Sequence, residues 1–140
     1  MFLNSDQIFR IPEIIASCED DRSIFVFFER TDEDPETMAL LHNILKAADA
    51  AYQVKTKKIA LEPNQNLLAY PLTQTKHPKR ILVFGADLER LGFHLTPSKY
   101  TPVQIGAANL LWGDNLSAIN TDKSLKIALW KAIQNMFKPT

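Results

Sequence analysis

Two stretches of the chain, Ser23-Ile-Phe-Val-Phe-Phe28 and Arg80-Ile-Leu-Val-Phe84, are rich in β-branched and aromatic residues and show no polar alternation. A strand with one wet face alternates apolar and polar side chains. An unbroken apolar strand must instead be covered on both faces, as strands inside a parallel sheet are. This restricts the chain to folds in which other elements lie above and below a sheet.

The covering elements are legible to different degrees. Asp34 can cap a helix whose first position is Pro35, and Glu36 adds negative charge where the helix dipole favours it. Met38, Leu41, Leu45, Ala48 and Tyr52 recur at steps of three and four, which predicts a helix through about residue 52 with one apolar stripe. Val54 to Leu61 reads as the next strand, and Lys55, Lys57 and Lys58 suit an edge, where charge discourages unwanted strand addition. The closing stretch from about Asp122 to Phe137 predicts a second helix, with Leu125, Ala128, Leu129, Ala132, Ile133, Met136 and Phe137 on its apolar face.

Between these elements the pattern weakens. Residues 63 to 78 are rich in Asn, Gln, Thr and Pro and carry no regular periodicity, although Leu67, Leu68 and Tyr70 could pin a turn onto the core. Gly85 before Ala86-Asp87-Leu88 reads as a tight strand-to-helix turn, with Gly92 ending a short helix. Tyr100 to Ile105 reads as another strand, and Asn109 to Trp112 either extends the sheet or forms the next strand. Near the amino end, Pro12 suits the first turn of a short helix. The pattern as a whole predicts a three-layer α/β/α domain with a short, mainly parallel sheet over residues 21 to 140, preceded by an N-terminal segment, residues 1 to 20, available for partner binding.

Charge and composition narrow the function. Sixteen basic and sixteen acidic side chains balance in a chain of 140 residues, which argues against a protein held to nucleic acid mainly by phosphate neutralisation. Any nucleic-acid contact is expected to be weak or indirect. Cys18 is the single cysteine and has no partner for an internal disulfide. The apolar runs fall far short of the roughly 20 residues of a membrane helix, and the first residues lack the pattern of a secretory signal. The reading is a cytoplasmic protein without a membrane association.

The order of these landmarks resembles the uracil-DNA glycosylase-like fold. The resemblance rests on Met38-Ala-Leu-Leu-His-Asn-Ile-Leu-Lys-Ala47, the strand within Val54 to Leu61, Pro78-Lys-Arg-Ile-Leu-Val-Phe-Gly85 with Leu91-Gly92 after it, and Leu125-Lys-Ile-Ala-Leu-Trp-Lys-Ala-Ile133. Active relatives carry a Gly-Glu-x-Pro-Gly-type loop after the first strand and a His-Pro-Ser-type loop before the last helix, since excision of a flipped base needs both sides of its pocket. Here those loops read Glu29-Arg-Thr-Asp-Glu-Asp-Pro35 and Trp112-Gly-Asp-Asn-Leu-Ser117. The first has no glycine and the second no histidine; His77-Pro78-Lys79 precedes a strand and stands at the wrong place. Iron-sulfur relatives would need four cysteines.

The closing Leu125-Lys-x-x-Leu-Trp-Lys-x-Ile133 is similar to that of a non-catalytic branch, the psi subunits of bacterial DNA polymerase III. That resemblance implies an adaptor of the clamp-loader assembly, without catalytic residues, metal or cofactor, which binds a chi-like subunit and a clamp-loader subunit. The residues singled out for partner binding are Phe2, Ile8, Phe9 and Trp112. For Trp112, next to Gly113, an interface anchor and ordinary packing remain equal alternatives; Trp130 is read as core.

Competing constellations are weaker. His42, His77 and His94 have no Cys or acidic partner at ligand spacing. Glu29, Asp32, Glu33 and Asp34 could form a carboxylate site at a strand's carboxyl end, but a solvated loop with a helix cap is preferred. Gly85 as a phosphate cradle is opposed by Asp87. The cluster Lys76, Lys79 and Arg80, with Lys55, Lys57 and Lys58, is read as a solvated edge in preference to a phosphate-binding face. The alternative to an adaptor is a divergent enzyme of the glycosylase-like superfamily acting on a base or nucleotide through Glu29 or Asp114.

Overall fold

A computed structural model of the chain describes residues 13–14 and 22–137. Its centre is a five-stranded sheet built from β2 (Ile24–Glu29), β3 (Thr56–Leu61), β5 (Lys79–Phe84), β6 (Val103–Ile105) and β7 (Ala108–Gly113), in the order β3-β2-β5-β7-β6. All pairings are parallel except that of β6 with β7. Two short strands, β1 (Glu13–Ile14) and β4 (Leu67–Leu68), form a separate parallel ladder. This is an α/β protein with a mostly parallel sheet.

The apolar run of β2 is explained by its position, because it lies between β3 and β5 and each of its faces meets a different core. Ile24, Val26 and Phe28 point into one cluster, together with Leu82, Phe84 and Leu111. Phe25 and Phe27 point into the other, with Ile81, Val83 and Leu110. From Ile24 to Phe28 no residue is more than 1% exposed. At about 1.5–3 kcal/mol for each large side chain fully buried, these five residues are a main source of stability.

The first face is covered by helices. Helix α1 (Pro35–Ala48) starts as expected: the Asp34 carboxylate accepts from Thr37 N–H at 2.9 Å, and Thr37 Oγ1 accepts from Asp34 N–H at 3.2 Å. Leu41, Ile44 and Leu45 are buried against the sheet. The helix ends at Ala48, earlier than the apolar spacing suggests. Asp49 Oδ1 accepts from Ala51 N–H at 2.9 Å, and such a local bond offers the backbone an alternative to the helix. Tyr52–Lys55 is a separate turn, α2, so β3 starts at Thr56 and leaves Val54 79% exposed. β3 pairs only with β2 among the described residues, the edge position that its lysines suggested.

Helix α4 (Lys123–Met136) completes this layer, with Asp122 as its cap and Leu129, Ala132, Ile133 and Met136 buried. Trp130 packs half-buried against the same core. Before it stands α3 (Leu116–Thr121), whose first turn is capped by the Asn115 side chain. The sequence reads as a loop over residues 112–117, and this helix begins inside it, at Leu116.

The second face departs from the expected three-layer α/β/α arrangement. Among the described residues it is covered by β4 and by two 3₁₀ turns, Tyr70–Gln74 and Leu88–Leu91. The connecting segments are interrupted by Pro63, Pro71, Pro78, Gly85, Gly92 and Pro97, residues that are unfavourable inside an α-helix. Apolar side chains are inserted singly instead: Leu67, Leu72, Leu88, Leu91 and Phe93 are all at most 5% exposed. Tyr70, expected to pin this segment, is 49% exposed, and Leu72 does so in its place. Gly92 closes the second turn at φ 84°, in the left-handed region that glycine adopts without strain.

Among the described residues no helix is long and apolar enough to cross a membrane. The basic cluster expected at a solvated edge is divided differently by the fold. Lys79 is 4% exposed on β5, with Nζ donating to the Arg22 carbonyl at 2.6 Å. Arg80 Nε donates to the Met136 carbonyl at 3.3 Å, and its guanidinium lies 4.4 Å from the Phe137 ring centre. Arg80 thus ties β5 to the end of α4, while Lys79 ties it to the segment that leads into β2.

Candidate functional site

Strands β2, β3, β5 and β7 run the same way, so the loops that follow them gather at one edge of the sheet, where open α/β sheets bind ligands. The chain leaves β2 toward β3 on one side and later returns as β5 on the other. The crevice between the ends of β2 and β5 is therefore the switch point of the topology.

That crevice is filled from within. Glu29, at the end of β2, is ion-paired to Arg90, and both side chains are only about one-fifth exposed (19% and 20%). Arg90 also donates to the carbonyls of Gln65 at 3.1 Å and Glu62 at 2.9 Å, so one guanidinium ties together the segments after β2, β3 and β5. Asp32 is 6% exposed, which corrects the solvated reading at that residue, whereas Glu33 and Asp34 are exposed as expected. Its Oδ1 accepts from the Ser117 hydroxyl, its carbonyl accepts from Thr37 Oγ1, and its Oδ2 is buried without a hydrogen bond. Asp34 is the helix cap, as expected, and Glu33 pairs with Arg30 at 2.9 Å.

Gly85 shows how closely the loops approach. Its φ is 81°, and a Cβ there would stand 2.6 Å from Asn115 Cβ. Its N–H donates to the Gly113 carbonyl at 3.1 Å, which serves the turn and leaves no phosphate cradle.

Beside this filled crevice an open groove runs along the ends of β5 and β7. One hollow of about 480 Å³ is lined by Leu88, Leu95 and Trp112 together with Asp87, Glu89 and His94. A second, of about 410 Å³, lies between Gly85, Asp87, Lys99, Trp112 and Asn115. Two more, of about 440 and 490 Å³, continue the groove past Asp87 toward Arg90 and Asn66. Asp87 borders all four.

Trp112, the half-buried aromatic wall, is held in place by Nε1–H donating to the Ala86 carbonyl at 3.0 Å, and Lys99 Nζ lies 5.4 Å from its ring centre. It packs against the second core and also borders the groove.

Asp114 follows on the same loop. It pairs with Lys99 at 2.8 Å and accepts from the Tyr100 hydroxyl at 2.7 Å, and these two bonds hold its carboxyl below the usual carboxylate range. Burial, with Asp114 alongside, pushes the Tyr100 phenol up. Among the carboxylates at the groove, Glu29 and Asp114 are thus committed to cationic partners.

Phe2, Ile8, Phe9 and Cys18 lie outside the described residues. His42 is hydrogen-bonded to Tyr52, His77 is exposed, and only His94 reaches the groove. Among the described residues no group of three His, Cys, Asp or Glu side chains could hold a metal ion. The sequence reading missed Arg90, Ser117 and Lys99 as determinants of this edge; the one available signal was Asn115, a preferred cap residue two positions before Ser117. Comparison of the chain with protein-family models, curated proteins and solved structures produced no match.

Proposed function

We propose that this chain is a non-catalytic adaptor subunit in DNA replication, acting by protein-protein binding on a uracil-DNA glycosylase-like framework, in the manner of the psi subunit of the DNA polymerase III clamp-loader complex. The observation that carries the reading is the internal commitment of the two loops where base chemistry would reside: Glu29 is bound to Arg90 and Asp32 to Ser117. A general base must stand within hydrogen-bond reach of the proton it takes, and these carboxylate oxygens are turned to protein partners instead. The partners on this reading are a chi-like subunit and a clamp-loader subunit.

Affinity purification from the native host should recover clamp-loader components with the chain. Uracil release from uracil-containing DNA should stay at background. Turnover that disappears in Glu29→Ala would overturn the adaptor reading.

One observation favours the second reading, a divergent enzyme acting on a base or nucleotide: open hollows of about 410 to 490 Å³ lie at the carboxyl ends of the strands. The carboxylate available there under that reading, Asp114, is held ionised by Lys99 and Tyr100, which suits a structural anion better than an acid or base.

A further inference from the structure

We propose that the groove beside Trp112 receives an extended basic segment of a partner protein, with an arginine seated against the indole and paired with Asp87 and Glu89; the inference rests on the adaptor reading and names the chemistry of one partner contact. The charges of the groove select this occupant. Its two cations are already neutralised, Arg90 by Glu29 and Lys99 by Asp114. Asp87 and Glu89 are exposed and make no side-chain hydrogen bond or ion pair among the described residues. The groove therefore presents net negative charge, which repels phosphate and attracts a cation.

Its shape and lining narrow the cation. The larger of the two hollows beside Trp112 is lined by the apolar and aromatic side chains of Leu88, Leu95 and Trp112 together with both carboxylates. Lys99 borders the smaller hollow with Trp112 and is absent from the larger one. A guanidinium stacks on an aromatic face and bonds carboxylates through its planar fork, whereas an ammonium is a strongly hydrated point charge. Asp87 borders all four adjoining hollows, so a chain of several residues can lie through them with the arginine at the centre.

The test is selection of random twelve-residue displayed peptides on the full chain, followed by titration of the most enriched peptide against the parent and the Asp87→Asn/Glu89→Gln double variant. The expected result is a shared arginine flanked by an apolar residue, and binding at least tenfold weaker for the double variant and for the peptide with citrulline in place of arginine. Unchanged melting of the double variant is expected, since neither side chain has a partner to lose. No enrichment, enrichment of peptides lacking arginine, equal binding by the double variant, or displacement of the peptide by a twelve-residue oligothymidylate would overturn the proposal. If the double variant still co-purifies with every partner of the parent, this groove is not the contact although the adaptor reading stands. If the parent itself co-purifies with no replication protein, the adaptor reading fails irrespective of the peptides.

Discussion

The Ser117 hydroxyl, on α3, donates to the carboxylate of Asp32, which lies 85 positions earlier in the turn that follows β2. This bond joins the loops after β2 and after β7 across the intervening central strand β5. Asp32 is almost wholly buried and its other oxygen has no partner, so Ser117 is the side chain that makes its burial tolerable.

Ser117→Ala should therefore cost more than its small size suggests. Removing the donor leaves a buried carboxylate with no side-chain hydrogen bond, a loss of about 2 kcal/mol. Urea denaturation of the variant beside the parent measures it, and a midpoint equal to that of the parent would show that Asp32 does not depend on Ser117.

The two-faced burial of β2 makes a sharp contrast between apolar residues. Phe27→Ala removes a ring with 0% exposure and should destabilise by about 3–5 kcal/mol. Val54→Ser, at a position 79% exposed, should stay within about 0.5 kcal/mol of the parent. Thermal or denaturant melts of both variants compare the two directly.

Asp114 gives the fold a dependence on pH with a defined sign. Its carboxyl is held below the ordinary value by Lys99 and Tyr100, so its contribution is present above the unfolded carboxylate range, near pH 4, and is lost as pH falls through its lower folded value. Tyr100 is raised, so its contribution is present below the ordinary tyrosine range, near pH 10, and is lost as pH rises above it. Asp114→Asn should be less stable than the parent at pH 7, and the difference should shrink as urea midpoints are taken down to about pH 2.

Gly85→Ala should be strongly unfavourable. The left-handed backbone alone costs a side chain about 1–3 kcal/mol. The new methyl would also stand 2.6 Å from Asn115 Cβ and displace the residue that caps α3. Loss of helical circular dichroism beyond that seen in Gly113→Ala, whose new Cβ would come no closer than 3.1 Å to Tyr100, separates the cap from general damage.

The sequence revealed what depends on local chemistry. Asp34-Pro35 announces the start of α1, Asp122 the start of α4, and the unbroken apolar runs of β2 and β5 announce a sheet covered on both sides. It did not reveal contacts decided over long separations. Arg90 meets Glu29 across 61 positions, and nothing near either residue marks the other. Lys79 and Arg80 read as solvated because charge is usually solvated, whereas β5 proved central and placed them against backbone carbonyls. The second face differs from the expected helical layer for another reason: apolar residues inserted one per turn leave no period to count.

The unequal covering of the sheet has a dynamic consequence. Leu72, Leu88 and Leu91 ride on 3₁₀ turns whose backbone has few hydrogen bonds to lose, while Leu41 and Ile133 ride on fourteen-residue helices that must unwind cooperatively. Partial opening thus begins on one side. Amides of Tyr70–Gln74 should exchange with solvent well before those of α1, and proteases should nick the stretch from Pro63 to Pro78 while the ladder between β2 and β5 still stands.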